Sequence, residues 1–470
     1  MPGKTALLVH FNDLRITDNQ PLVESAAFFD AVYPLVVIDP AVLKQQYFGI
    51  PKISARRLDW FLKAVKDLRH SYRLLGGDLL IRLGKTDEVV SQLVSELGIT
   101  AVYGQHAKTT EELALRRDIE TVVGDIPCHW RWTDVLIAPN QLPMSGGSFP
   151  RSFSSFRKKF EARCTVPTPL DPPVSLSKPP IEPGDLPNLE ALGFDSQLLD
   201  VRSPIATLGC GETGAWQQVE NYFWRGDHLK SYKHTRNGMT DWSDSSKLSP
   251  YLALGLISPR SIYHQILNYE QERVANQSTY WLRFELLWRE YFHALGLFMG
   301  NRLFHQTGVR QRPLPWLQDV ELFERWTTGH TGCPIVDACM RELAETGYSS
   351  NRARQIAASF LVKYLGIDWR WGAAWFEYHL LDYDPCSNWG NWQYLAGVGT
   401  DTKDRVFSMK KQAQFYDSEA IFVKRWLPEF RGESAESLIA QNPWGPEDWE
   451  TQSTMRQTPQ WQEQSGHHPL

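Results

Sequence analysis

The stretch TALLVHF, from Thr5 to Phe11, is a short run of apolar and β-branched residues near the start of the chain. AVYPLVVID, from Ala31 to Asp39, is a second such run, and both are typical of buried strands. Apolar residues then recur at helical spacing from Leu58 to Leu68, before another strand-like run at Asp78–Gly84. Because strands and helices alternate, the pattern predicts an α/β domain over residues 1–135, built on a doubly wound parallel sheet.

The chain beyond this domain changes first in composition and then in periodicity. VPTPLDPPVSLSKPPIEPGDLP, residues 166–187, contains eight prolines, a composition that excludes regular structure. We therefore predict an interdomain linker over 136–205, an all-α domain over 206–430, and a disordered tail over 431–470, which is rich in Gln, Glu, Pro and Ser. The predicted helices of the all-α domain include Pro259–Glu272, Val320–Thr327, Trp371–Leu381 and Gly390–Val398.

Composition excludes several classes of protein. No apolar run reaches the length of a membrane span, and the apolar stretch before Asp13 is too short for a secretory signal. The six cysteines are scattered without metal-like spacing, which predicts reduced thiols in the cytoplasm and no metal site. The net charge of −5 means that any nucleic acid would bind through a local basic patch. No GxGxxG follows the first strand, so the chemistry is expected outside the sheet domain.

Three polar clusters in the helical region are candidates for a binding site. DSSKLSP, Asp244–Pro250, places hydroxyls, amides and Lys247 before a helix, as a phosphate site would, although ordinary helix caps look the same. FELLWRE places Glu285, Trp288 and Arg289 on one helix face, where the alternative is a surface Glu285–Arg289 pair. GYSSNRARQ carries Arg354, which could pair with Asp382 of DYDPCSNWGNWQY; the alternative is a solvated helix start.

Taken in order, these motifs resemble the cryptochrome/photolyase flavoprotein family over about Thr5–Phe430. The resemblance is carried by NDLRITDN, SSKLSPYLALG, FELLWREYF, GCPIVDACMREL, NRARQIAASFLVKYLGIDWR and CSNWGNWQYLAGVGTD. FPRSFSSFRKKFE, RVANQSTYW and SNWGNWQY are similar to the DASH branch of that family.

The resemblance implies FAD held in a U shape inside the helical domain. Tyr232 and the Ser245–Ser249 segment would hold the pyrophosphate, and Asn388 would face flavin N5. The residues implied at the cofactor are Tyr232, Ser245, Ser246, Lys247, Leu248, Ser249, Glu285, Arg289, Asn351, Arg354, Asp382, Asp384 and Asn388. Trp392, Trp369 and Trp316 match the family's electron-transfer chain, whereas the plain alternative for each indole is core packing.

The resemblance also implies an enzyme of the deoxyribodipyrimidine photo-lyase type, with Glu285, Trp288 and Asn388 as catalytic residues. Trp288, Tyr394, Gln355, Arg352 and Arg405 would contact the DNA that carries a cyclobutane pyrimidine dimer. Tyr394 and Gln355 stand where duplex-acting photolyases usually have Trp and Met, which makes the pocket more polar. The expected substrate is therefore single-stranded DNA.

Ser349 and Ser350 replace the His pair of (6-4) photolyases, which argues against (6-4) repair. An antenna, 5,10-methenyltetrahydrofolate, would lie near Glu111 and the 149–156 segment. We expect a monomer. The open alternatives are a conventional photolyase acting on duplex DNA and a blue-light photoreceptor that signals or regulates through DNA binding.

Overall fold

The computed structural model describes residues 3–144, 149–150, 152–199, 207–401 and 405–448. Its strands are β1 Thr5–Val9, β2 Ala31–Ile38, β3 Gln46–Tyr47, β4 Ile50–Pro51, β5 Leu80–Leu83, β6 Ala101–Gln105 and β7 Cys128–Arg131. The helices that alternate with them are α1 Gln20–Phe28, α2 Pro40–Leu43, α3 Ala55–Leu74, α4 Thr86–Leu97 and α5 Thr110–Val123.

A five-stranded parallel sheet with the order β5-β2-β1-β6-β7 organises the N-terminal region. Side chains of β1 alternate between two cores: Leu7 and Val9 pack on one face, and Ala6 and Leu8 on the other. Both faces are therefore buried, which explains the continuous apolar runs in the sequence. The predicted doubly wound α/β domain is confirmed.

Part of the predicted linker is helical. Helix α6, Phe153–Arg163, lies inside the range 136–205, and its side chains Phe156 and Phe160 are buried in the main core. The proline-rich stretch 166–187, all of which is described, contains neither helix nor strand. The linker prediction is thus corrected for α6, where an amphipathic segment supplies apolar side chains to the helical domain.

The C-terminal domain is helical, as predicted. Its helices are α7 Gly211–Val219, α8 Tyr232–Thr235, α9 Ser249–Ala253, α10 Pro259–Glu272, α11 Gln277–Met299, α12 Val320–Thr327, α13 Pro334–Thr346, α14 Asn351–Lys363, α15 Trp369–His379, α16 Pro385–Ala396, α17 Met409–Tyr416, α18 Ile421–Trp426 and α19 Ala435–Ala440. A π-helical turn, Glu220–Arg225, extends α7. The only extended pairing among its described residues is one bridge between Leu317 and Ile367.

The prediction of disorder is wrong for the first part of the tail, which contains a helix. Helix α19 begins at a Ser434 cap and buries Leu438, and the side chain of Asn442 is also buried. Residues 449–470 lie outside the described residues.

The loop after β1 joins the two domains. Arg15 is buried, and its guanidinium donates to the carbonyl oxygens of Gly255 at 2.8 Å and Thr133 at 2.7 Å. Gly255 has φ +61°, and a Cβ there would come within 2.1 Å of the Asn12 carbonyl. This close approach seats the carboxyl edge of the sheet against the helical domain.

Candidate functional site

The helical domain encloses a cavity of about 480 Å³. Most of the residues implied at the cofactor and substrate line it, namely Tyr232, Ser245, Ser246, Lys247, Leu248, Ser249, Glu285, Trp288, Arg289, Asn351, Arg354, Gln355, Asp382, Asp384, Asn388, Trp392 and Tyr394. A second pocket of about 720 Å³ beside Trp216 and Trp224 contains none of them. The structure thus brings together segments as far apart in the sequence as Tyr232 and Tyr394.

Helix α16 forms one wall of the cavity. It begins earlier than the sequence pattern predicted, at Pro385. Asp384 is its N-cap, and the carboxylate accepts from the Ser387 N–H at 2.6 Å, with Pro385 in the first turn. Asn388 and Trp392, four residues apart, then share the face that lines the cavity. The Asn388 amide donates to the Ala373 carbonyl at 3.0 Å, which fixes the orientation of this side chain.

The Ser245–Ser249 segment forms a second wall around an unusual backbone conformation. Lys247 has φ +52°, in the left-handed region, and its ammonium donates to Ser245 Oγ at 2.8 Å. The same ammonium lies 5.1 Å from the Trp242 ring and 5.3 Å from the Tyr348 ring. Leu248 caps α9 without a side-chain hydrogen bond, so hydroxyls, a cation and a helix start meet at one end of the cavity.

Arg354 and Asp382 form the ion pair that the sequence predicted. Their Nη2 and Oδ2 atoms are 2.8 Å apart, and Arg354 Nε also donates to the Ser349 carbonyl at 2.9 Å. Burial opposes the charge of Arg354, but Asp382 outweighs it and raises the pKa of the guanidinium. Asp382 Oδ1 is buried and has no hydrogen-bond partner among the described residues. A polar ligand in the cavity could supply that missing donor.

Glu285 has a different partner from the one considered in the sequence. Its Oε1 lies 2.7 Å from Nη1 of Arg236, whereas Arg289 donates to the backbone carbonyl of Asp134. The alternative interpretation, a surface pair between Glu285 and Arg289, is therefore wrong, because the two side chains contact different neighbours. Burial raises the pKa of Glu285, and Arg236 offsets part of that effect. Arg236 lines the cavity and was missed, although SYKHTRN contains it.

A buried polar network ties the cavity to the sheet domain. Asp384 Oδ2 lies 3.1 Å from His293 Nε2, and the other ring nitrogen faces Asp134 at 3.8 Å. Asp134 in turn pairs with Lys108. Burial would raise the pKa of Asp384, but His293 dominates and holds it well below its usual range. Asp384 thus serves as helix cap and His293 partner as well as lining the cavity, and His293 was not foreseen.

Aromatic side chains form a further wall of the cavity. Trp288 stacks on Phe153 of α6, with ring centroids 3.8 Å apart and planes at 11°. Tyr394 meets Trp288 edge-on at 6.1 Å. The segment predicted as linker therefore supports this wall, and its run of phenylalanines in FPRSFSSF was the available signal.

The three candidate electron-transfer tryptophans lie around α15. Trp369 begins this helix and is fully buried, and Trp392 packs so closely on Gly372 that a Cβ there would come within 2.2 Å of it. Trp316 is half-buried next to Leu317, whose backbone pairs with the segment just before Trp369. The described ring contacts join Trp392 to Phe376 and Trp326, and Trp369 to Trp389.

Three further predicted residues lie outside the cavity. Arg352 follows the cavity residue Asn351 on α14 and stacks over Tyr416 at 4.4 Å. Arg405 is exposed and pairs with Asp401 at 3.2 Å. Glu111 lies in the first turn of α5 and pairs with Lys52 at the border between the domains.

In the described part of the chain, no helix is long and apolar enough to cross a membrane. Those same residues contain no group of three His, Cys, Asp or Glu side chains that could hold a metal ion.

Two family descriptions match the chain. The family described as "DNA photolyase" matches residues 6–174, and that described as "FAD binding domain of DNA photolyase" matches residues 281–466. The second match covers most of the cavity wall and identifies its cofactor as FAD.

Relatives and solved structures match over nearly the whole chain. "Cryptochrome DASH" of Gloeobacter violaceus is 46% identical over 92% of this chain and 87% of its own, and that of Natronomonas pharaonis is 44% identical over 94% and 93%. The crystal structure of a Synechocystis cryptochrome superposes with a TM-score of 0.87 at 39% identity, covering 93% of this chain and 91% of that one. A class III photolyase from Agrobacterium tumefaciens gives 0.80 at 26% identity, with 97% and 99% covered.

Proposed function

The chain belongs to the cryptochrome/photolyase family, in its DASH branch, and we propose that it uses blue light and reduced FAD to repair cyclobutane pyrimidine dimers in single-stranded DNA. This is the activity of a deoxyribodipyrimidine photo-lyase, for which bound FAD would supply the electron that opens the dimer. The observation that carries the proposal is one cavity lined both by the charged and polar groups that FAD needs and by the contacting rings of Trp288 and Tyr394.

The residues of the cavity fit FAD. The Ser245–Ser249 segment and Lys247 offer hydroxyls, a cation and the start of α9 to a pyrophosphate. The unpartnered Oδ1 of Asp382 is an acceptor for a ligand N–H or hydroxyl, and Arg354 balances its charge. FAD, when bound, supplies light absorption and the transferable electron.

The chain's own groups would then act on the substrate. Glu285, held by Arg236, would hydrogen-bond the polar edge of a flipped dimer and stabilise charge that develops there. Trp288 and Tyr394 would offer flat walls to the dimer, and Gln355 adds a polar group to the same cavity. A pocket with Tyr394 and Gln355 grips an apolar dimer less strongly, which favours substrates that need no base pairs broken.

The test is repair by the fully reduced, illuminated protein. Matched single- and double-stranded oligonucleotides carrying one dimer would be exposed to blue light, and the restored thymines counted. Repair confined to single strands supports the proposal. Equal repair of the single- and double-stranded oligonucleotides would indicate a duplex photolyase. Repair of neither oligonucleotide, with flavin retained, would favour a photoreceptor.

The antenna belongs to the same proposal. Glu111 and Lys52 border the sheet and helical domains, and Thr110 contacts Asn301 of the helical domain there. We place 5,10-methenyltetrahydrofolate at this border. Reconstitution with the folate should add its absorption band to the wild type and much less of it to Glu111→Ala, and equal uptake by both would reject the site.

The proposal also places the protein in the cytoplasm as a monomer. Cell fractionation and sedimentation of the purified protein test these two points. Relatives named "Cryptochrome DASH, chloroplastic/mitochondrial", such as that of Arabidopsis thaliana, make an organellar location the competing outcome.

A further inference from the structure

Two exposed aromatic rings stand beside two lysines on the outer face of α17. Phe415 is 84% exposed and Trp444 is 50% exposed, although both are large apolar side chains. The ammonium groups of Lys410 and Lys411 lie 5.2 Å and 5.7 Å from the Trp444 ring. We call Lys410, Lys411, Phe415 and Trp444 the α17 platform.

The fold holds this platform in place. Met409 and Ala413 anchor α17 in the core, so the helix turns Lys411 and Phe415, four residues apart, outward on one face. The backbone N–H of Lys410 donates to the Pro443 carbonyl at 3.0 Å, which fixes Trp444 beside the start of the helix. The exposed rings are thus on a rigid element.

The platform continues toward the cavity. The Phe415 ring lies 6.1 Å from the Tyr416 ring, and Arg352 stacks over Tyr416 at 4.4 Å. Arg352 also lies 3.5 Å from Gln412, and its chain neighbour Asn351 lines the cavity. A line of flat groups therefore runs from the cavity across α17.

The chemistry of this line matches an unpaired nucleic-acid strand. Within the described residues, no carboxylate lies within salt-bridge distance of the Lys410 or Lys411 ammonium groups, so both charges are available to phosphates. Exposed rings give bases a stacking surface without sequence preference, and neighbouring cations hold the backbone. A lone exposed apolar side chain is ordinary on a protein surface. Two exposed rings next to two lysines, near the cavity proposed to take the dimer, are instead typical of a binding surface.

We propose that the α17 platform binds the single-stranded nucleotides that flank the dimer, with bases stacked on Phe415 and Trp444 and phosphates on Lys410 and Lys411. This inference rests on the proposed function, because the platform extends the substrate site of that reaction. It also gives the protein a reason to favour single strands, since paired bases cannot expose their faces to the two rings.

The test compares affinities for short and long strands. Dimer-containing single strands of about 5 and about 15 nucleotides, spanning the usual site sizes, would be titrated onto the FAD-loaded protein in the dark. Phe415→Ala and Trp444→Ala should weaken binding of the long strand roughly fivefold or more, the low end for losing one stacked base, and leave the short strand nearly unaffected. Phe415→Tyr keeps a flat ring and should restore most of the affinity.

Two controls separate stacking from charge and from general surface effects. Replacing both lysines, Lys410→Gln with Lys411→Gln, should lower the slope of log K against log salt by about 0.7 per lost phosphate contact. Phe28→Ala removes a ring that is 71% exposed at the end of α1 in the sheet domain, and it should change neither affinity.

Unchanged affinity for the long strand in Phe415→Ala and Trp444→Ala would reject the proposal that the α17 platform binds the flanking nucleotides. The proposed repair function would not be affected by that result. Failure of the wild type to repair any strand would reject the proposed function, whereas strand binding that depends on Phe415 would still support the platform. If these substitutions instead alter the sedimentation of the protein alone, the surface is a contact between copies and the inference is wrong.

Discussion

Replacing Arg354 with Met should destabilise the helical domain far more than loss of an ordinary ion pair. The Asp382 side chain is only 3% exposed, its Oδ1 lacks a partner among the described residues, and Arg354 donates to its Oδ2 at 2.8 Å. The substitution therefore leaves a buried carboxylate without a counter-charge. Removing one member of a buried pair costs about 3–5 kcal/mol of unfolding free energy.

That free energy should appear as a lower melting temperature. For a domain of roughly 200 residues, 1 kcal/mol moves the midpoint by about 2–4 °C, so we expect a loss of about 10 °C. The assay is thermal unfolding followed by helix circular dichroism on the FAD-free protein, which separates folding from cofactor binding. In the loaded protein, release of flavin fluorescence should occur at a correspondingly lower temperature.

Arg341→Met is the matched control. Its guanidinium is also 2.8 Å from a carboxylate, Glu429, but that partner is 45% exposed, so the expected loss is below about 1 kcal/mol. The double variant Arg354→Met with Asp382→Leu should recover most of the stability, because no unpaired charge stays buried. Equal melting temperatures for Arg354→Met and Arg341→Met, or no recovery in the double variant, would refute the reasoning.

Three other predictions address the substrate, the electron path and pH. Glu285→Ala should reduce repair about 10²-fold at unchanged flavin content; loss of flavin instead would indicate a structural role. Trp392→Phe should block photoreduction of the flavin yet spare repair by chemically reduced protein. The control is Trp326→Phe, which changes a buried ring 6.2 Å from Trp392 and should leave photoreduction normal. Normal photoreduction in Trp392→Phe would remove that residue from the electron path. Glu290 is 2% exposed, and burial raises its pKa to about 7 despite the N–H bonds it accepts from Leu136 and Ile137. The folded state therefore keeps a proton that the unfolded chain loses, so this one carboxyl should lower the unfolding free energy by about 3 kcal/mol as pH rises from about 4.5 to above 7. Glu290→Gln should flatten that decline, and an unaltered pH dependence would contradict the assignment.

Periodicity predicted the elements best where the start of a helix carries a local signal. The helices Pro259–Glu272 and Val320–Thr327 were predicted at both ends, since a proline or an Asp cap marks the start. The start of α16 was placed five residues late, at Gly390 instead of Pro385, because its first turn is polar and faces a cavity. Helix α6 was assigned to a linker, because its apolar face is buried only by contact with the distant helix α11 and its neighbours.

The sequence by itself determined the α/β and all-α domains, the family and the residue types that line the site. Those properties follow from local periodicity and from motifs that stay contiguous along the chain. Tertiary structure alone decided that Glu285 pairs with Arg236, that His293 lies between Asp384 and Asp134, and that Trp444 stands beside α17. Each of these contacts joins distant segments through burial and charge, and no local pattern encodes which buried carboxylate meets which cation.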